Sequence, residues 1–481
     1  MKTSLNRRQF LKVVGTTGAL AASGACDGGP VKKLIPWVVP PEDIVPGIAV
    51  WYATMCRECS SGCGMLVRTR EGRAVKAEGN PRCPRGQGGL CARGQASLQG
   101  LYNPDRLRQP LVREAGAEKP VSWEEALGIV AEAARGAVGP GTAVILTGRQ
   151  GPAVRRLMGE WMGRFPALRW IEWEPFRNES MRAAGRIVFG SSGMPFYAFG
   201  DAGYILSFGA DFLETWNSPV EHAREYALFR GRGTGRFVHI GPRRSLTAAN
   251  ADEWVAATPG SEALAALAVL RIMLERKWHA LTDPGELALL EGIVEPFHSE
   301  RVHEETGIGE EKLLELAREF AGARPGVAVS GGEMVGGRNS TLLDAAVLLL
   351  NYAAGYVGAT VHLPETDPSP ASTYGDVASL TREMEAGSVP LLLVSGANPA
   401  FFLPESLGFT AALEKVPLLA VHATWADETS RLADVVLPAC HFLEVWDDWE
   451  TQHGRGVVQP VMRPLYDGRG LGDLILALAG M

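Results

Sequence analysis

The chain is short of the features that mark several large classes of protein. It has no long basic run, and 47 lysines and arginines against 54 aspartates and glutamates leave a net charge of −7. That balance argues against nucleic acid as a partner. The apolar run near the amino end, Val13 to Ala22, is too short and too rich in Gly, Ala and Thr for a stable membrane span. No C-x-x-C-H occurs, because Cys59 is followed by Ser60, which argues against covalently attached haem. Seven cysteines in 481 residues are too few for a disulfide framework once the clustered ones are set aside. What remains is a chain with 46% hydrophobic residues, large enough for two or three globular domains. Its 57 glycines and 31 prolines follow no period and read as loops and close packing.

Four of the cysteines stand together near the amino end: Cys56, Cys59 and Cys63 in the frame C-x2-C-x3-C, then Cys91 after a longer gap. Three thiolates this close, with a fourth brought in by a returning loop, make a four-sulfur cage suited to an iron–sulfur cluster or a zinc ion. Gly62 and Gly64 flank the third sulfur, where backbone wrapping a cluster needs freedom in φ. Zinc ribbons pair two C-x2-C knuckles and this chain has one, so the frame favours iron–sulfur over zinc or an empty cage. Cys83 is near enough in sequence to compete as a ligand, but the frame is complete without it. Cys440, His239, His422 and His441 lie in or beside apolar strands and read as core residues.

The first 26 residues read as a leader. Arg7-Arg8-Gln9-Phe10-Leu11-Lys12 before the short apolar run is a twin-arginine export signal, a route for proteins that fold and take up a cluster before export. It places the mature protein on the periplasmic face of the cytoplasmic membrane. Ala22-Ser23-Gly24-Ala25-Cys26 has two readings, a lipoprotein site that leaves a lipidated Cys26 or plain cleavage. Residues 27–47 form a proline-rich stretch, Lys33 to Glu42 above all, that reads as an extended arm or a linker. The cysteine region follows over 48–110, with a hairpin expected around Glu71-Gly72-Arg73.

From Ser122 the text repeats strand, glycine and helix. Apolar runs end in glycine at Gly148, Gly209, Gly241, Gly331 and Gly396. Near-continuous apolar strands with helical stretches between them predict an α/β fold: doubly wound parallel sheets in two interleaved Rossmann-like domains. The expected division is 111–150 plus 325–481 for the first and 151–324 for the second. There is also an internal echo: Gly209-Ala210-Asp211, Thr247 and Ala251-Asp252 recur as Gly396-Ala397-Asn398, Thr429 and Ala433-Asp434. Two such units facing across a crevice suit a long ligand with two similar halves.

These residues resemble the molybdopterin oxidoreductase family, enzymes with a bis-molybdopterin guanine dinucleotide cofactor and an amino-terminal 4Fe–4S cluster. The cysteine frame with Leu90-Cys91-Ala92-Arg93-Gly94 carries the first part of the likeness. Gly241-Pro242-Arg243, Thr247, Ala251-Asp252 and Pro259-Gly260-Ser261-Glu262 carry the second, and Gly396-Ala397-Asn398-Pro399, Glu428-Thr429 and Ala433-Asp434 the third. The resemblance implies a 4Fe–4S cluster on Cys56, Cys59, Cys63 and Cys91, with Arg93 as the basic residue between cluster and pterin. It implies a pterin pocket, functional or vestigial, at Gly209, Gly241, Arg243, Gly260, Ser261, Gly396, Asn398, Pro399 and Thr429.

Two family features have no match. The stretch Trp173–Arg182, where catalytic members place a metal ligand, has no cysteine, and only Ser180 or a glutamate could serve. The family's carboxyl-terminal cap domain has no counterpart in this sequence. Lys33–Gly47, Tyr52-Ala53-Thr54 and Gly94–Tyr102 are most similar to the molybdopterin-oxidoreductase-like module of the iron–sulfur subunit of alternative complex III. That likeness implies no catalytic residue and no molybdenum. It implies an electron-transfer or scaffold role in a quinol-oxidising respiratory complex. The partners would be a ferredoxin-like multi-cluster subunit, a membrane quinol-binding subunit and cytochrome c subunits, with membrane association through them and a lipidated Cys26. The alternative is a catalytic molybdenum or tungsten enzyme acting on polysulfide, thiosulfate or a similar small substrate. A structural module with an empty or zinc-filled cage is the third reading.

Overall fold

The cysteine region begins with three antiparallel strands, β1 (Val50–Met55), β2 (Gly64–Arg70) and β3 (Arg73–Gly79). The β2–β3 turn places Glu71 and Gly72 at positive φ, 51° and 76°, as a two-residue hairpin turn compatible with sheet twist requires. The expected hairpin is therefore present. The computed structural model describes residues 45, 47–114, 116–176, 178–332, 335–364 and 372–480. The export signal, Cys26 and nearly all of the proline-rich arm lie outside the described residues.

After a helix at Ala92–Leu101, the chain passes through β4 (Leu111–Glu114), β5 (Ala117–Pro120), β6 (Ala143–Thr147) and β7 (Leu168–Glu172). It then forms β8 (Phe196–Tyr197), β9 (Tyr204–Phe208), β10 (Arg236–Gly241), β11 (Glu253–Ala256), β12 (Gly326–Ser330) and β13 (Val361–His362). It returns through β14 (Leu391–Ser395), β15 (Leu418–Ala423) and β16 (Val435–Pro438), and closes with a hairpin of β17 (Asp447–Thr451) and β18 (Gly454–Val458). One sheet has seven strands in the order β5-β4-β16-β15-β14-β6-β7, the last five mutually parallel. The other has four parallel strands in the order β11-β10-β9-β12.

Both sheets are covered on two faces, which is why their strands read as unbroken apolar runs. On β14, Leu391 and Leu393 face the helices Trp123–Gly136, Pro152–Arg164 and Leu471–Ala479, while Leu392 and Val394 face Tyr374–Glu385. In the smaller sheet, Leu206, Val238 and Ala328 meet the apolar helix Glu262–Glu275, while Ile205, Phe237 and Val327 meet Phe199, Phe212 and Phe229. The expected doubly wound α/β architecture is what the chain adopts.

Strand pairing corrects the expected division at both ends. β7 lies within 151–324 yet pairs with β6 in the seven-stranded sheet. β12 lies beyond 325 yet pairs with β9, and β13 pairs with β8, so the second unit reaches past Val361. An apolar strand carries no mark of which sheet it joins, because either buried sheet accepts it equally well.

The end of the cysteine region is anchored by a buried ion pair. Arg106 donates to both oxygens of Glu444, at 2.9 and 2.6 Å, and to Leu101 O at 2.9 Å. Glu444 also accepts from the backbone N–H groups of His441 and Leu465, at 2.8 and 2.9 Å, so its carboxylate is fully engaged. Removing one partner strands the other charge in the interior. Glu444→Ala is expected to cost about 3–5 kcal/mol and to lower the thermal midpoint, while Arg106→Met/Glu444→Leu is expected to cost clearly less. Calorimetry on both variants checks the ordering.

Candidate functional site

The cage is built from three local segments. Cys56 directly follows the first strand, and its N–H donates to Cys63 O at 2.8 Å, closing the loop that carries Cys59. Cys91 is the residue that caps the helix Ala92–Leu101, so its sulfur stands at the positive end of that helix. Gly94, in the first turn, leaves room chiefly for the Leu90 side chain, 2.5 Å from where a Cβ would stand, with the Cys56 sulfur at 3.3 Å. All four cysteines are free thiols, and Cys56 and Cys63 are buried. Burial pushes both of these thiols up, Cys63 to about 12. A buried thiol of that kind becomes a thiolate only against a compensating metal charge.

The donor set fits a four-iron cluster. It is made of thiols alone, and they lie near enough to act on one another: Cys63 feels Cys59 and Cys91, and Cys56 feels Cys59 and Cys63. Cys83 packs against Gly64, its sulfur 2.8 Å from the Cβ position there, and is a neighbour of Cys63.

The loop between the cysteines is held from the far end of the chain. Gly62 sits at φ +62°, and the Trp449 indole from β17 occupies the space a Cβ would need. Trp449 is 3% exposed, and its ring is approached by the guanidinium carbons of Arg57 and Arg149, each 4.6 Å from the centroid. Arg57 pairs with Asp447 and donates to Arg149 O at 3.2 Å. On another side, Arg85 donates to Ser61 O and pairs with Glu221 at 2.8 Å, and Ser61 Oγ donates to Asn217 O at 2.7 Å. Burial opposes the ionisation of Glu221, but His453 and Arg85 hold its carboxyl down at about 2.

A cavity of about 800 Å³ lies between this loop and the carboxyl edge of the seven-stranded sheet. Each strand of the parallel set contributes to it: β6 through Gly148 and Arg149, β7 through Trp173 and Glu174, and β14 through Gly396 and Asn398. β15 contributes His422 and β16 contributes Ala439 and Cys440. Cys59 and Arg93 form the wall on the cluster side. This is where open α/β sheets bind ligands. Gly148 is glycine because a Cβ there would come within 2.5 Å of Gly396 O, so two strand ends close on each other.

The expected pocket residues divide unequally. Gly396 has positive φ, with open space where a Cβ would stand. Asn398 lines the cavity and accepts from Thr429 Oγ1 at 2.7 Å, while Pro399 is buried at the start of a short helix. Gly209, Gly241, Arg243, Gly260 and Ser261 do not line this cavity. The Val335 side chain fills the space over Gly209, Gly241 lies beside it, and Arg243 pairs with Asp211 at 3.1 Å. Ser261 Oγ donates to Thr258 O at 2.7 Å, and Gly260 has open space. The two strand ends thus differ at their glycines: Gly396 has open space where Gly209 is packed against Val335.

The echo between the two units is structural. Asp252 accepts from Phe237 N at 2.7 Å, and Asp434 accepts from Leu419 N at 2.8 Å. Thr247 Oγ1 accepts from Leu213 N at 3.0 Å, and Thr429 Oγ1 from Ala400 N at 3.1 Å.

Of the candidate metal ligands, Ser180 is bonded to the buried Asp344 and lies beside a separate, smaller pocket, as does Glu179. Glu174 reaches the cavity, where burial raises its carboxyl against the pull of Arg149 and Arg93. Arg149 was invisible in the sequence: nothing distinguishes an arginine after a strand-end glycine from a solvated one. Trp449 belongs to a tryptophan-rich stretch, Trp446–Glu450, whose pattern does not say what it covers. Its neighbour Trp446 is 70% exposed at the cavity rim. His422 is a satisfied core histidine, bonded to Ser395 Oγ at 2.8 Å and Arg469 O at 3.0 Å.

Comparison with known proteins agrees with this geometry. Residues 49–103 match the model of the molybdopterin oxidoreductase Fe4S4 domain, and residues 106–470 match that of molybdopterin oxidoreductase. The chain is 28% identical to the menaquinone reductase molybdopterin-binding-like subunit of Nitratidesulfovibrio vulgaris, over 99% of this chain and 72% of that one. It is 26% identical to the molybdopterin-containing subunit of arsenate respiratory reductase from Shewanella sp. strain ANA-3, over 97% of this chain and 65% of the relative. Among solved structures, acetylene hydratase from Pelobacter acetylenicus superposes with a TM-score of 0.74 at 17% identity, covering 89% of this chain and 68% of that one.

Gly62→Ala is expected to lose the cluster to an iron chelator at least about tenfold faster than wild type. The substitution combines a left-handed backbone cost of about 1–2 kcal/mol with a clash against Trp449. The decay of visible iron–sulfur absorption measures it. A second expectation concerns pH. Burial depresses His239 and His422 to about 4 and His441 to about 3. The unfolded chain binds these protons from about pH 6.5 downward and the folded chain does not. Stability should thus fall as pH drops from about 6.5 toward 4, and thermal midpoints across that range check the sign.

Proposed function

Because this chain belongs to the molybdopterin oxidoreductase family, we propose that it is an electron-carrying, non-catalytic subunit of a quinone-linked respiratory complex. It works at the outer face of the cytoplasmic membrane after twin-arginine export, in an assembly of the alternative complex III type. One observation carries the reading. The stretch after β7 that should supply a metal ligand turns its serine toward Asp344 and leaves only Glu174 at the cavity wall. The 28% identity to a menaquinone reductase subunit whose own description is molybdopterin-binding-like supports it.

In this role the four cysteines hold a cluster that exchanges single electrons. The chain's contribution is to bury Cys56 and Cys63 and bring Cys59 to the cavity wall. Arg93 stands beside it, and its charge pulls against the burial that raises the Glu58 carboxyl. The partners are a multi-cluster ferredoxin-like subunit, a membrane quinol-binding subunit and cytochrome c subunits. A lipid on Cys26 would add a second tether.

A second reading rests on Glu174. Half-buried, it lines the same cavity as Gly396, where a glutamate could serve a molybdenum or tungsten centre. Metal and pterin analysis of anaerobically purified protein separates the two. The proposed role predicts about four irons per chain with no molybdenum, tungsten or pterin. Stoichiometric molybdenum or tungsten with pterin, released in Glu174→Ala, would replace it with the catalytic reading.

A further inference from the structure

One guanidinium beside the cluster loop makes no close ion pair, although the Glu174 carboxyl on the same cavity wall feels its charge. Arg149 donates to Ser60 O and to Glu450 O, each at 2.5 Å, and both acceptors are neutral carbonyls. No carboxylate among the described residues lies within ion-pair distance of it. Glu172, whose charge it feels, is paired with Arg155 at 2.5 Å. Arg57, the other arginine against Trp449, is neutralised by Asp447. Half-buried on the cavity wall with Cys59, Arg149 is a cation held between the loop and the cavity.

A cluster that accepts an electron gains one negative charge. A fixed cation nearby in a low-dielectric setting therefore stabilises the reduced state over the oxidised one. The same guanidinium faces a cavity wide enough for a small oxyanion, and pairing with one would cancel that help. Trp449 and the two carbonyls fix where the charge sits, since the planar head lies near the ring and its N–H groups point at defined oxygens.

We propose that Arg149 is a positioning residue that holds the cluster's reduction potential up, and that an oxyanion entering the cavity and pairing with Arg149 lowers it. The proposal rests on the cluster of the preceding reading and adds a link between cavity occupancy and electron affinity. By reciprocity, the anion binds more weakly once the cluster is reduced.

The test is a mediated redox titration of the cluster-loaded full chain, followed by the paramagnetic resonance of the reduced cluster. At the wild-type midpoint, Arg149→Gln should show the reduced-to-oxidised ratio falling about tenfold, about 59 mV for a one-electron couple. Arg149→Lys, which keeps the charge, should stay within about twofold of wild type. A potential unmoved in Arg149→Gln with four irons retained overturns the proposal. If Arg149→Gln does not keep its cluster, wild type with inorganic phosphate decides. A ratio falling as phosphate rises supports the link, and an unchanged ratio at saturating phosphate overturns it. Wild type without iron would overturn both this proposal and the electron-carrying role, whereas an intact cluster with an unresponsive potential overturns only this one.

Discussion

A loop that wraps a metal cluster is nearly all backbone and has little apolar side chain with which to hold itself in place. The Trp449 indole lying against Gly62 resolves that problem, and much of the structure depends on it. The ring excludes any side chain from position 62 and gathers two arginines, whose other groups bind the loop carbonyl of Ser60 and the carboxylate of Asp447. Aromatic packing and charge act here in one direction. The indole brings the guanidiniums near the loop, and their hydrogen bonds satisfy carbonyls that the tight loop leaves without strand or helix partners.

The same principle of one unit completing another recurs in the two α/β halves. Asp252 and Asp434 bind the start of a neighbouring strand in the same way, and Thr247 and Thr429 each cap the turn after a strand-end glycine. The halves keep one scaffold but have diverged at the edge where ligands would bind. Gly396 faces space, and Gly209 faces Val335. Their shared scaffold is set by backbone hydrogen bonds, while each edge is set by single side chains from distant loops, which can change without disturbing the sheet.

That separation also explains what could be read in advance. The four cysteines, the glycine-ended strands, the hairpin at Glu71-Gly72 and the internal echo are local patterns, and local chemistry fixes them. The sheet membership of β7 and β12 was not legible, because a fully buried strand looks the same in either sheet. Nor was the fate of Ser180, which depends on an aspartate 164 positions later in the chain, Asp344. Arg149 and Trp449 acquire meaning only through contacts between segments that sequence pattern treats as unrelated. In the site, then, the four cysteines could be singled out from the sequence and the groups that surround them could not.

The pairing of Arg57 with Asp447 joins positions 390 residues apart. A ribosome emits the cysteine loop well before the tryptophan hairpin, so the thiols emerge ahead of the side chains that come to hold their loop.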